Sequence, residues 1–120
     1  MKILVTGGGG FQGSHLVESL IEQGHDVSVL NTYSKKAVSS LSNVLDKINL
    51  IWGSITDKEL VHKSVRGHDV VFHLAARINV DESLKDPVAF FYVNILGTYN
   101  ILEATRENGN RLILTSTCEV

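Results

Sequence analysis

Short apolar runs alternate with longer stretches of helical spacing along the whole chain. Lys2-Ile3-Leu4-Val5-Thr6 is β-rich and predicts a first strand over 3–6. Leu16, Leu20 and Ile21 share one helical stripe, predicting a helix over 13–23 that Gly24 ends. Further strands are expected over 26–30, 48–52, 69–74 and 111–115. Residues 57–65 read as a helix, and Pro87 stands near the start of a long one ending close to Asn108. The weakest segment is 33–46, where Val38, Leu41 and Leu45 point to a short helix. Trp52 reads as a core residue of the third strand. No repeat or low-complexity linker interrupts this order. Strand–helix alternation with short connections predicts an α/β domain: a parallel sheet of about five strands with helices on both faces.

The junction between the first strand and first helix carries the chemistry. Gly7-Gly8-Gly9-Gly10-Phe11-Gln12-Gly13 joins them, with glycines at 7, 10 and 13 spaced G-x-x-G-x-x-G. Glycine permits a tight turn and close backbone approach. The helix start offers unpaired N–H groups and the positive end of its dipole. A strand, a glycine turn and a helix in that order form a cradle for a dinucleotide pyrophosphate, so the domain reads as Rossmann-like.

Composition narrows the rest. A chain of 120 residues holds one modest core, hence one domain over 1–120. Net charge −2 with intermixed signs provides no basic face for nucleic acid. A single cysteine allows no internal disulfide. No run reaches the roughly 18 apolar residues of a membrane span, and residues 1–6 read as a strand rather than a signal peptide, so a cytoplasmic protein is expected. Five scattered histidines, with no H-E-x-x-H and no cysteine pair, give no metal motif.

Thr6-Gly7-Gly8-Gly9-Gly10-Phe11-Gln12-Gly13-Ser14-His15-Leu16 resembles the TGGxGFxGSHL opening of the extended short-chain dehydrogenase/reductases, the NAD-dependent nucleotide-sugar epimerase/dehydratase group. The resemblance continues through His73-Leu74-Ala75-Ala76, Asn94-Ile95-Leu96-Gly97-Thr98 and Ser116-Thr117-Cys118-Glu119-Val120. It implies a larger parent whose C-terminal part holds a nucleotide-sugar, and a catalytic Tyr-x-x-x-Lys pair on a later helix. Tyr92 and Tyr99 have no lysine four positions on, and the fifth strand ends without its following helix. The chain is therefore expected to be truncated before that pair and inactive by itself. The helix after Pro87 implies a homodimer contact.

The resemblance also assigns residues to the cofactor, NAD by preference with NADP left open. Where the family usually has an acid at the end of the second strand, this chain has Asn31, which can bond a ribose hydroxyl without repelling a 2′-phosphate. Lys35 or Lys36 is available to bind such a phosphate or to stand as ordinary solvated charge. Ser54-Ile55 replaces the family's Asp-Ile or Asp-Leu; Ser54 is either an adenine contact or a plain turn serine. Leu74, Ala75 and Ala76 resemble the nicotinamide-side wall, while His73 is expected to be structural. Asn94 matches a backbone-bridging asparagine, and Val80 and Ser83 fall on the loop near nicotinamide or simply start a helix.

At the chain's end, the resemblance makes Thr117 the hydroxyl that orients the sugar C4 oxygen and Glu119 the base for the C5 proton. Cys118 stands where dehydratases often carry a proton-delivering acid, a poorer group for that task or a small structural residue. A nucleotide-sugar 4,6-dehydratase is the leading expectation. A 4-epimerase or decarboxylase, and a non-catalytic dinucleotide-binding domain, are the alternatives.

Overall fold

A computed structural model describes residues 1–118. The elements follow as β1 (Lys2–Thr6), α1 (Phe11–Glu22), β2 (Asp26–Asn31), α2 (Lys35–Ser40), β3 (Ile48–Trp52), α3 (Lys58–Val65), β4 (Val70–His73) and α4 (Val80–Lys85). A long helix then runs through α5 (Pro87–Phe91), a π-helical stretch (Tyr92–Gly97) and α6 (Thr98–Asn108) before β5 (Arg111–Leu114). The expected five strands are all present and every pairing is parallel.

The strand order is β3-β2-β1-β4-β5. The chain winds outward from β1 in one direction and then crosses back to build β4 and β5 on the other side. That reversal opens a crevice at the carboxyl ends of β1 and β4, where doubly wound sheets bind their ligands.

Both sheet faces are covered. Ile3, Val5, Val27 and Val29 pack with Val17 and Leu20 of α1 on one side. Leu4, Leu30 and Val71 pack with Val61 and Val65 of α3 and Ile101 and Ala104 of α6 on the other. Successive strand residues point to opposite faces, so a strand buried on both reads as an unbroken apolar run.

Several local expectations need correction. Helix α1 begins at Phe11, two residues early, and its buried positions are Gly13, Ser14, Val17 and Leu20; Leu16 and Ile21 are only partly buried. In the weak segment, Ser34 caps α2 by accepting the Ala37 N–H at 3.0 Å. That cap sets the phase, so Ala37, Leu41 and Val44 enter the core while Leu45 stays 38% exposed. Trp52 is not a core residue. It ends the edge strand, is 38% exposed, and meets the Tyr33 ring edge-to-face at 5.3 Å.

The π-helical stretch had no counterpart in the apolar spacing. It lies where the long helix presses on the loop after β3: a Cβ on Gly97 would come within 2.5 Å of the Ile55 side chain. Three residues on, buried Asn100 donates from Nδ2 to the Ile55 carbonyl at 2.9 Å. No helix among the described residues is long and apolar enough to cross a membrane.

Candidate functional site

The glycine turn is built by backbone packing. Gly7 has φ +73°, and a Cβ there would sit 2.7 Å from the Ala75 backbone nitrogen. A Cβ on Gly13 would lie 2.1 Å from the Gly7 carbonyl oxygen, so the first turn of α1 rests directly on the loop. Gly10 differs: its Cβ would meet only the Gly7 oxygen, at 3.3 Å, and the residue lines an open cleft. Gly10 is also the N-cap of α1 and supplies no side-chain cap. The amides of Phe11, Gln12 and Gly13 therefore belong to the first-turn donors that have no intrahelical acceptor. The Ser14 N–H makes the first helical bond, to the Gly10 carbonyl at 2.9 Å.

The cleft has a volume of about 820 Å³ and lies along the carboxyl edge of the sheet. Its floor is Gly7, Gly9 and Gly10 with Phe11, Gln12 and Gly13; its walls come from Leu30 and Asn31, from Ser54 and Ile55, and from Leu74, Ala75 and Ala76. That size falls in the roughly 300–1,000 Å³ range of small-molecule and cofactor sites. A cleft with a glycine floor, no Cβ at Gly10 and a helix N-terminus aimed into it fits a pyrophosphate-linked dinucleotide. A smaller hollow of about 370 Å³ between β3 and α3 shares none of these features.

Asn31 holds the loop as well as lining the cleft. Its Oδ1 accepts the Gly9 N–H at 3.0 Å and its Nδ2 donates to the Thr32 carbonyl at 2.8 Å. Ser54 makes a serine turn, its Oγ accepting the Thr56 N–H at 3.1 Å and lying 2.8 Å from the Thr56 hydroxyl. Ile55 is 4% exposed and anchors the cleft wall to the long helix through its side chain and carbonyl.

His73 has the structural place expected of it. Nδ1 lies 2.6 Å from Thr6 Oγ1 and Nε2 lies 3.0 Å from Thr98 Oγ1. Burial pushes its pKa down to about 4. Asn94 bridges backbone as the resemblance implied: Oδ1 accepts the Arg77 N–H at 2.8 Å and Nδ2 donates to the Arg77 carbonyl at 2.9 Å. This clamp fixes the loop segment leaving Ala76, though Asn94 itself does not line the cleft.

Other expected residues fall elsewhere. Lys36, not Lys35, lines the cleft, because consecutive helical residues are about 100° apart. Ser83 bonds the Val80 carbonyl at 2.6 Å, and Asn79 caps α4 by accepting the Glu82 N–H at 3.0 Å, so that loop starts a helix. Thr117 and Cys118 are exposed beyond β5 and outside the cleft lining. Glu119 lies outside the described residues. Sequence reasoning missed Thr32, Ser34, Arg77 and Val93 as lining residues. Thr32 directly follows the end of β2 at the crevice and Ser34 caps the next helix, which was the available signal.

Residues 3–120 match the model of the NAD dependent epimerase/dehydratase family. The chain is 45% identical over 124 residues to a dTDP-glucose 4,6-dehydratase of Mycobacterium tuberculosis, covering 100% of this chain and 37% of that relative. It is 39% identical to a UDP-N-acetyl-alpha-D-glucosaminuronate decarboxylase of Bacillus cytotoxicus, covering 99% of this chain and 37% of that one. The fold superposes on Thermus thermophilus UDP-glucose 4-epimerase, solved in complex with NAD, with a TM-score of 0.84 and 40% identity over 98% of this chain and 38% of the other. The chain thus spans little more than a third of the length of these relatives. With its glycine cradle, parallel sheet and matched motifs, it belongs to the NAD-dependent epimerase/dehydratase family.

Proposed function

We propose that this chain is the dinucleotide-binding part of a nucleotide-sugar 4,6-dehydratase-like enzyme, and that the cofactor is held by Gly7 to Gly13, Asn31, Ser54 and the wall from Leu74 to Ala76. The single observation carrying the cofactor half is the glycine floor, where Gly10 leaves the cleft open beside the uncapped start of α1. A nicotinamide group bound there would supply a reversible hydride acceptor. The chain's own residues would bind the pyrophosphate through backbone amides and keep water from the far end with Leu74, Ala75 and Ala76.

The dehydratase assignment is supported by the 45% identity to the mycobacterial enzyme and by Glu119, a carboxylate at the sequence position to which the family resemblance assigns removal of the acidic proton beside a sugar ketone. Thr117 would orient the sugar oxygen. A 4-epimerase is the second reading, favoured by Cys118 where a proton-delivering acid is usual. Incubating the full-length protein with a panel of nucleotide-hexoses decides between them. Dehydration yields a 4-keto-6-deoxy product that absorbs in alkali, whereas epimerisation only equilibrates two sugars. Neither outcome would leave a decarboxylase, tested with nucleotide-hexuronates, or a non-catalytic binding domain.

A homodimer and a cytoplasmic location complete the proposal. Val88, Phe91, Tyr92, Ile95 and Tyr99 are each at least half exposed along the long helix. Their spacing makes one apolar ridge, and such a ridge is typically covered by a partner.

A further inference from the structure

We infer that Asn100 is a positioning residue for the adenine base of the dinucleotide: its hold on the Ile55 carbonyl sets the Ile55 N–H on the cleft wall as a donor to the base. The inference rests on the dinucleotide reading above and names a determinant of that site. In doubly wound folds the end of β2 meets the adenosine ribose. The loop after β3 flanks that end, where the Gly53 N–H donates to the Asn31 carbonyl at 3.0 Å. A base carried on a ribose at Asn31 turns the edge farthest from its sugar toward Ser54 and Ile55. In adenine that edge carries N1, a bare acceptor beside the amino group.

The loop has few donors to offer. Besides the Gly53 N–H, the Thr56 N–H is taken by Ser54 Oγ at 3.1 Å and the Asp57 N–H by the Ser54 carbonyl at 3.1 Å. Ser54 Oγ also lies 2.8 Å from the Thr56 hydroxyl, so this side chain is occupied twice within its own turn. The N–H groups of Ser54 and Ile55 have no acceptor among the described residues. Ser54 is partly exposed, and water can serve it. Ile55 is 4% exposed, and a buried N–H without an acceptor is rare in a folded protein. An acceptor within the cleft completes it.

The other handles of Ile55 are held. Its side chain fills the space a Cβ on Gly97 would need, and its carbonyl accepts from Asn100 Nδ2 at 2.9 Å. Gly97 and Asn100 share one helix face, just past the π-helical stretch that ends at Gly97. The extra residue of a π-turn rotates the helix beyond it by about 100°, which brings this face onto the loop. Asn100 is itself 4% exposed and has no place in the cleft lining. It acts on the ligand only through Ile55.

Titration calorimetry on the full-length protein with NAD and nicotinamide hypoxanthine dinucleotide tests this without any sugar turnover. Hypoxanthine carries an N–H at N1 and a carbonyl in place of the amino group, so two donors would face each other at Ile55. The unaltered protein should bind NAD about tenfold tighter, the effect of one lost hydrogen bond that leaves its donor unpaired. Asn100→Ala should weaken NAD and leave the hypoxanthine form nearly unchanged, drawing the ratio toward one. A role confined to packing would weaken both dinucleotides alike. Gly97→Ala places the better helix former on the helix and displaces the Ile55 side chain with Asn100 intact. It should lower the same ratio, and it reports even where Asn100→Ala loosens the fold. Equal affinities in the unaltered protein overturn the inference and leave the cofactor-site reading standing. A ratio that stays tenfold in the variants, with both ligands weakened alike, overturns it as well. Failure of both dinucleotides to bind the unaltered protein defeats both readings together.

Discussion

His73 Nδ1 stands 2.6 Å from Thr6 Oγ1, and the direction of proton donation there is fixed from the far side of the ring. Thr98 Oγ1 donates to the Asn94 carbonyl at 2.7 Å, so it accepts from His73 Nε2–H. Nδ1 is then the bare nitrogen and accepts the Thr6 hydroxyl proton. Thr6 Oγ1 in turn accepts the Ala75 N–H at 3.2 Å. Every proton in this line is used once, tying β1, the cleft wall and the long helix into a single polar thread. A second proton on the ring would face an oxygen already aimed the other way.

That thread predicts acid sensitivity. The imidazole titrates at 6.5 in the unfolded chain and at about 4 when folded, lowered by burial. Between those values the unfolded chain holds the extra proton. The contribution is intact above pH 6.5 and is lost as pH falls to about 4. Moving from pH 7.5 to pH 5 should cost about 2 kcal/mol. Urea unfolding at the two pH values measures it. His73→Gln should be less stable at pH 7.5 and lack this increment of pH dependence. Equal losses in both proteins would place the effect on other groups.

The glycines separate folding from binding. Gly13→Ala forces a methyl against the Gly7 oxygen, and backbone cannot yield as a flexible side chain does. We expect about 3 kcal/mol of destabilisation, read as a lower melting temperature, and no dinucleotide binding. Gly10→Ala needs a shift of only a few tenths of an ångström and points its methyl into the cleft. Its stability should change by less than about 1 kcal/mol, while calorimetry shows dinucleotide affinity weakened at least about tenfold. Gly10→Val extends the same intrusion and should abolish binding.

Much of this was legible in the chain because the signals are local. Two-sided strand burial writes itself as apolar runs, and the turn at Gly7, Gly10 and Gly13 needs residues that little else can replace. What stayed hidden depended on partners distant in sequence. Trp52 looks apolar, but only the sheet order shows that β3 is an edge. Lys35 and Lys36 are equivalent in a string, and only the phase set by the Ser34 cap puts Lys36 on the cleft. The second duty of Asn31, bracing Gly9, requires knowing that the loop folds back over the end of β2.

The long helix predicts an assembly. Ile95 is 58% exposed in the middle of the ridge formed with Val88, Phe91, Tyr92 and Tyr99. A charge introduced there is harmless to a monomer and costly in a covered interface. Ile95→Asp in the full-length protein should leave the melting curve of the subunit intact at low concentration and shift light scattering from dimer to monomer. A variant that remains dimeric would remove this helix from the interface.

The finest functional assignment rests on Glu119. A ketone at sugar C4 acidifies the neighbouring C5 hydrogen, and dehydration needs a base to take it. Glutamine keeps the size and hydrogen-bonding capacity of glutamate but cannot accept that proton near neutral pH. In the full-length protein, Glu119→Gln should lower formation of the 4-keto-6-deoxy product by about 10²–10⁴-fold, the usual contribution of a positioned general base. Dinucleotide affinity should stay unchanged, since the cradle is built by the loop from Gly7 to Gly13 after β1 and not by residues after β5. Solvent deuterium gives a sharper reading than rate alone: the unaltered enzyme should incorporate deuterium at C5 during turnover, and the variant should not. Unimpaired product formation by Glu119→Gln would remove the residue from the chemistry. Sugar interconversion without any exchange at C5, in the unaltered protein, would mark the enzyme as an epimerase, which needs no base at that carbon.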